Sequence, residues 1–134
     1  MNNSTLVNDA LRLIGVLPEG QNASAEDAEL ALRIATELTD EWSDDGLIVP
    51  WPLNASIGDD CPLSGTELTC VKYGLAVRLC PNYEREPSPS IVAFAASAYQ
   101  RLLRMQLARD IATSDPILPI AEGSSRRWNI LTDE

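Results

Sequence analysis

Between Ser24 and Gly46 the chain repeats apolar residues at a single spacing, and that spacing decides most of what it can fold into. Ala28, Leu32, Ala35, Leu38 and Trp42 recur every three or four residues, which predicts an α-helix with one buried stripe. Ser24 is a good N-cap, and Asp27 three residues on makes a variant of the capping box with Asp in place of Glu. Glu26, Asp27 and Glu29 stand at the start of the helix, where its dipole favours anions. Trp42, on the stripe, reads as a core residue.

The same pattern predicts three more helices. Helix one starts near Ser4 as cap, shows Leu6, Ala10, Leu13, Ile14 and Leu17 on one side, and stops at Pro18 and Gly20. Helix three covers about Gly65 to Cys80 with Leu68, Val71, Leu75, Ala76 and Leu79 inward, and PNYEREPSPS follows as a turn. Helix four begins around Ser88 and Pro89, since proline is tolerated in a first turn, and runs to about Ala112. It is apolar over a wide arc. Ile91, Ala95, Ala98, Leu102 and Met105 form one stripe, and Val92, Ala96, Tyr99, Leu103 and Leu107 form its neighbour. A surface helix needs only one, so two predict burial on two sides, at the centre of a small bundle or between subunits. Arg101 and Arg104 occupy the remaining face, with Arg109 just beyond. The expected fold is all-α, a small four-helix bundle over residues 1–112 with an extended C-terminal arm over 113–134.

Two apolar segments fall outside this scheme. Residues 46–64 make a long linker between helices two and three, opening with Leu47, Ile48, Val49, Pro50 and Trp51. Loops of this length usually carry function, and the prolines permit extended or edge structure but not a central strand. The arm ends in Arg126, Arg127, Trp128, Asn129, Ile130 and Leu131. Exposed apolar segments mark protein contacts, and tryptophan is a preferred anchor in them. The expectation is therefore that Leu47–Trp51 leaves the bundle to pack on a partner, the alternative being that both segments fold back onto their own bundle. Trp128, Ile130 and Leu131 would lie in a partner's groove, with Arg126 and Arg127 meeting acids there.

Charge narrows the class of partner. The net charge is −10 with no histidine. Residues 1–60 hold twelve acids against Arg12 and Arg33, whereas residues 61–134 balance. An acidic half disfavours gripping DNA or an anionic membrane, because phosphate binding needs an excess of Lys and Arg. The start lacks the basic region of a signal peptide, and no stretch approaches the roughly 20 apolar residues of a membrane span. Cys61, Cys70 and Cys80 are odd in number and lack metal-type spacing, so they read as free buried thiols.

Catalysis finds little footing. Without histidine there is no Ser-His-Asp or Cys-His arrangement, and no glycine-rich phosphate loop or calcium loop is present. The acid pairs Asp44/Asp45, Asp59/Asp60 and Glu37/Glu41 leave one enzymatic alternative, a hydrolase cutting cell-wall glycan with two carboxylates. Acids this frequent pair by chance, and the expectation is no enzyme, no cofactor and no metal.

The segment LVNDALRLIGVLPEGQNASAEDAELALRIATELTDEWSDDGLIVPW resembles the opening of the head-to-tail connectors of short-tailed phages, also called packaged-DNA stabilisation proteins or tail accessory factors. The matching features are the ALRLIGVL helix, the polar turn into SAEDAELAL, and a helix ending in W-x-x-x-G before an aliphatic loop. YGLAVRLCPNYEREPSPSIVAFAASAY is similar to the family's third and fourth helices. The resemblance covers about four-fifths of the chain by order and spacing rather than by one motif. It implies an adaptor in the neck of the virion, made in the host cytoplasm. Twelve copies would form a ring beneath the portal, join it to a tail or nozzle protein and help retain the genome. DNA would pass through that ring without sequence-specific binding. The acidic helix two, through Glu37, Asp40, Glu41 and Asp44, would face Arg101 and Arg104 of the neighbouring subunit.

Overall fold

The computed structural model describes residues 2–52, 54–63 and 65–113. Four α-helices follow in order: α1 (Asn3–Leu13), α2 (Ala25–Asp44), α3 (Thr66–Leu79) and α4 (Pro89–Thr113), with a 3-10 turn over Cys80–Tyr83. The chain divides into two compact units, residues 1–103 and 104–134. Among the described residues there is no strand, only an isolated antiparallel bridge between Asn2 and Asp60. The all-α bundle expected from the spacing is the fold observed.

The helix ends explain much of the packing. Asn2, not Ser4, caps α1, its side-chain oxygen accepting from the Thr5 amide at 3.1 Å. That moves the start of the helix upstream of where the sequence places it. At the other end α1 stops at Leu13, before Pro18. Gly15 adopts φ 76°, its amide donates to the Arg12 carbonyl at 3.0 Å, and the Val16 amide donates to Leu11 at 3.1 Å. These are the paired bonds of a Schellman motif, which needs a left-handed residue that glycine supplies at little cost. The ending of α2 repeats it. Gly46 has φ 92°, donates to Ser43 at 3.0 Å, and leaves the Leu47 amide to donate to Trp42 at 2.8 Å. Ser24 caps the start of α2 as expected, accepting from the Asp27 amide at 3.2 Å.

Two apolar clusters fill the first unit. One joins α1, α2 and the C-terminal half of α3 through Val7, Leu11, Ala31, Leu32, Leu75 and Leu79. The other gathers Leu6, Leu38, Trp42, Leu47, Val71 and Leu102. All five residues of the α2 stripe are buried, Trp42 among them. The helix packed against both α1 and α2 is α3. Gly74 permits its close approach, since a Cβ there would stand 3.1 Å from Leu38 Cδ2 and 3.3 Å from Trp42 Cζ2.

Among the described residues, helix α4 is not buried on two sides within this chain. It buries only Ile91, Ala98 and Leu102, while Val92 and Phe94 are 43% and 55% exposed. Ser88 accepts from the Ile91 amide at its start. Of the first stripe Ala95 is half-buried and Met105 exposed; of the second, Tyr99 and Leu103 are half-buried, and Val92, Ala96 and Leu107 lie exposed. Of the two places that two stripes predicted, the one at the centre of the bundle belongs to α3.

The long loop is tied down at both ends. Leu47 is fully buried as the residue that closes the α2 ending onto Trp42, and Leu63 is buried near the far end. Between them Trp51 is half-buried and donates its indole N–H to Thr36 Oγ1 of α2 at 3.0 Å. A buried indole needs such an acceptor. Further on, Asn3 of α1 donates through its backbone to Asp59 at 2.9 Å and through its side chain to Ser56 at 2.8 Å, and Ser4 donates to Ile57 at 3.1 Å. The expectation that Leu47–Trp51 leaves the bundle is therefore corrected. Leu47 and Trp51 pack on their own helices, and Ile48, 61% exposed, is the apolar side chain that points outward.

Candidate interaction surface

Two grooves flank α4 in the first unit. One, of about 480 Å³, runs between α4 and the start of α3 and is lined by Thr69, Tyr73, Phe94, Ser97, Ala98 and Arg101 among others. Tyr73 and Phe94 meet at a tilt in its wall, ring centroids 5.6 Å apart at 54°. Lys72 Nζ stands 5.3 Å from the centre of the Tyr73 ring, a cation–π distance. The second groove, of about 320 Å³, lies between α4, α2 and α3 and is lined by Trp42, Val77, Val92, Ala96 and Tyr99 among others. Trp42 and Tyr99 touch at 5.6 Å between centroids.

The second groove has an acidic border. Glu41 accepts a fork from Arg78 at 2.6 and 2.7 Å, and Tyr99 reaches Asp45 at 3.5 Å. Those hydrogen bonds first, and the guanidinium charge second, hold the Glu41 carboxyl below the usual carboxylate range, and Arg78 is raised in return. Because the folded value is depressed, the pair's contribution is present above the ordinary carboxylate range and is lost as pH falls through the lowered value. In Arg78→Gln the Glu41 midpoint, followed by carboxyl NMR, is expected to move upward. An unchanged midpoint would mean that the fork does not persist in solution. Glu37, Asp40 and Asp44 are exposed along the same helix.

Other acids also have local partners. Tyr83 donates to Asp27 at 2.8 Å, and its hydroxyl is pushed up to about 12 by burial and then by that carboxylate. Asp59 accepts from the Ser56 amide at 3.1 Å. Burial pushes the Cys70 thiol up to about 12 and raises that of Cys80, while Cys61 is half-buried. Among the described residues no group of three or more acidic, Cys or His side chains could hold a metal, and no helix is long and apolar enough to cross a membrane.

The residues singled out from sequence therefore separate. Leu47 belongs to the core, Trp51 and Val49 are half-buried, and Ile48 is exposed. Arg101 is exposed on the edge of the first groove, and Arg104 is exposed at the start of the second unit. Arg126, Arg127, Trp128, Ile130 and Leu131 lie outside the described residues. The structure adds Tyr73 of α3 and Phe94 of α4, which the stripes read for helices three and four left unassigned. Phe94 is three residues past Ile91 and four before Ala98, so its place beside the buried row was readable.

A small helical bundle with an open apolar flank is the class of protein that these features describe. The chain belongs to the P22 tail accessory factor family, whose model matches residues 2–133. It is thus a phage tail accessory protein by family, and that role is structural by name. No curated protein matches the chain.

Proposed function

We propose that this chain is a head-to-tail adaptor, assembling as a ring of twelve copies under the portal, joining it to the tail or nozzle protein and helping to retain packaged DNA. The observation that carries the reading is the family match over residues 2–133. The uncovered side of α4 supports it, because Val92 and Phe94 lie exposed in the monomer where an assembled particle would cover them. The acidity of residues 1–60 suits a channel through which DNA slides without being held. In this reading Ile48 and Val49 meet a neighbouring virion protein, with Leu47 and Trp51 fixing their position from within. Arg126, Arg127, Trp128, Ile130 and Leu131 contact the portal.

Purified chain added to tail-less, DNA-filled heads should co-sediment with them and protect the genome from loss and nuclease digestion. Failure to bind such heads would overturn the reading. A zymogram in which the chain clears cell wall and acid-to-amide variants do not would instead favour a hydrolase.

A further inference from the structure

We propose that neighbouring copies meet across α4, the acidic groove of one copy receiving the basic aromatic flank of the next. This contact rests on the adaptor reading and names the surfaces that such a ring would use.

The two flanks are distinct surfaces of one molecule. Phe94, Ser97 and Arg101 follow one another at helical spacing on one side of the buried row formed by Ile91, Ala98 and Leu102. Val92, Ala96 and Tyr99 do so on the other side. The first flank carries Arg101 and Lys72 around the Tyr73–Phe94 pair. The second is bordered by Asp45 and by Glu41 in its fork with Arg78, and Glu37, Asp40 and Asp44 lie exposed along the same helix. Each flank thus combines an exposed large apolar side chain with charge, Arg101 and Lys72 beside Phe94, and on the Val92 side the wall residue Arg78 outnumbered by Glu41 and Asp45 at the border.

That combination fits a second copy of the chain. A two-fold contact across α4 could pair the unlike flanks only reciprocally and would stop at a dimer, so a ladder of multimers from a variant with cysteine on both flanks tells the two arrangements apart. Joining unlike flanks head to tail brings charges of opposite sign together and repeats from copy to copy, the kind of contact from which a ring is built when the rotation closes. Exposed ion pairs contribute little strength, about 0–1 kcal/mol each, so the aromatic and aliphatic contacts would supply the affinity while the charges set orientation.

Cross-linking on the assembled particle tests this. In full-length chain carrying Cys61→Ser, Thr69→Cys marks the basic flank and Ala96→Cys the acidic one, both at exposed positions. Bound to DNA-filled heads and treated with a short bis-maleimide, a mixture of the two single-site variants should give dimers. Either variant alone should give none, and the double variant should give a ladder of multimers. A dimer formed by one variant alone would overturn the unlike-flank contact. Head binding with no cross-link in the mixture would overturn the contact and leave the adaptor reading standing. Failure of the parent chain to bind heads would remove both.

Discussion

Trp42→Ala is expected to cost this small bundle about 3–5 kcal/mol, enough to remove a large part of a typical domain's stability. The indole is 7% exposed and stands where several elements converge. It packs with Leu38, Leu47 and Val71, tilts against Tyr99 of α4, and lies where a Cβ on Gly74 of α3 would be 3.3 Å away. Its carbonyl also receives the Leu47 amide, so the end of α2 is locked beneath it. Removing the ring would leave a cavity that three helices and the loop cannot all close at once. Urea denaturation followed by far-UV circular dichroism should show a lower midpoint with little change in slope. A loss under about 1 kcal/mol, the scale of an average substitution, would show that the cluster collapses around the gap.

Deleting Ser125–Glu134 is expected to have the opposite profile, with portal binding abolished and the urea midpoint unchanged. The buried clusters of the described residues all lie between Leu6 and Leu102, within the chain that the truncation keeps. What it does remove is Arg126, Arg127, Trp128, Ile130 and Leu131, a compact set of cationic and apolar side chains. Full burial of one large apolar side chain contributes roughly 1.5–3 kcal/mol, and repetition around a ring multiplies the effect of each modest contact. Unchanged affinity for portal-bearing heads would show that the tail is not the anchor. A fall in the midpoint would show that it belongs to the fold.

Where the sequence was legible, periodicity was the reason. The α2 stripe from Ala28 to Trp42 and the Ser24 cap could be read directly, because a buried row and a cap each leave a local signature. The loop was harder. Five apolar residues after Gly46 look like an exported segment, yet Leu47 is the closing residue of a helix ending that the chain uses twice, in LRLIGV and again in WSDDGL. In both, glycine takes the left-handed position and an aliphatic residue follows it, its amide bonded to the carbonyl of a large apolar residue five places before it. Comparing the two endings would have placed Leu47 inside. The wide apolar arc of α4 was visible, but composition alone could not say which row faces its own bundle. Nor could it reveal that Tyr73 and Phe94, far apart in the chain, share one groove wall.

The fastening of the long loop changes what its outward side chain can do. Leu47, the indole hydrogen bond of Trp51, and the bonds from Asn3 and Ser4 to residues 56–59 hold the segment at several points. Ile48 is therefore displayed from a mount already set before any partner arrives. A partner docking there would have less chain disorder to suppress, so even a small contact could form with usable affinity. Because each copy would present that side chain in the same pose, a symmetric assembly would meet a regular crown of identical points rather than a fringe of independent threads.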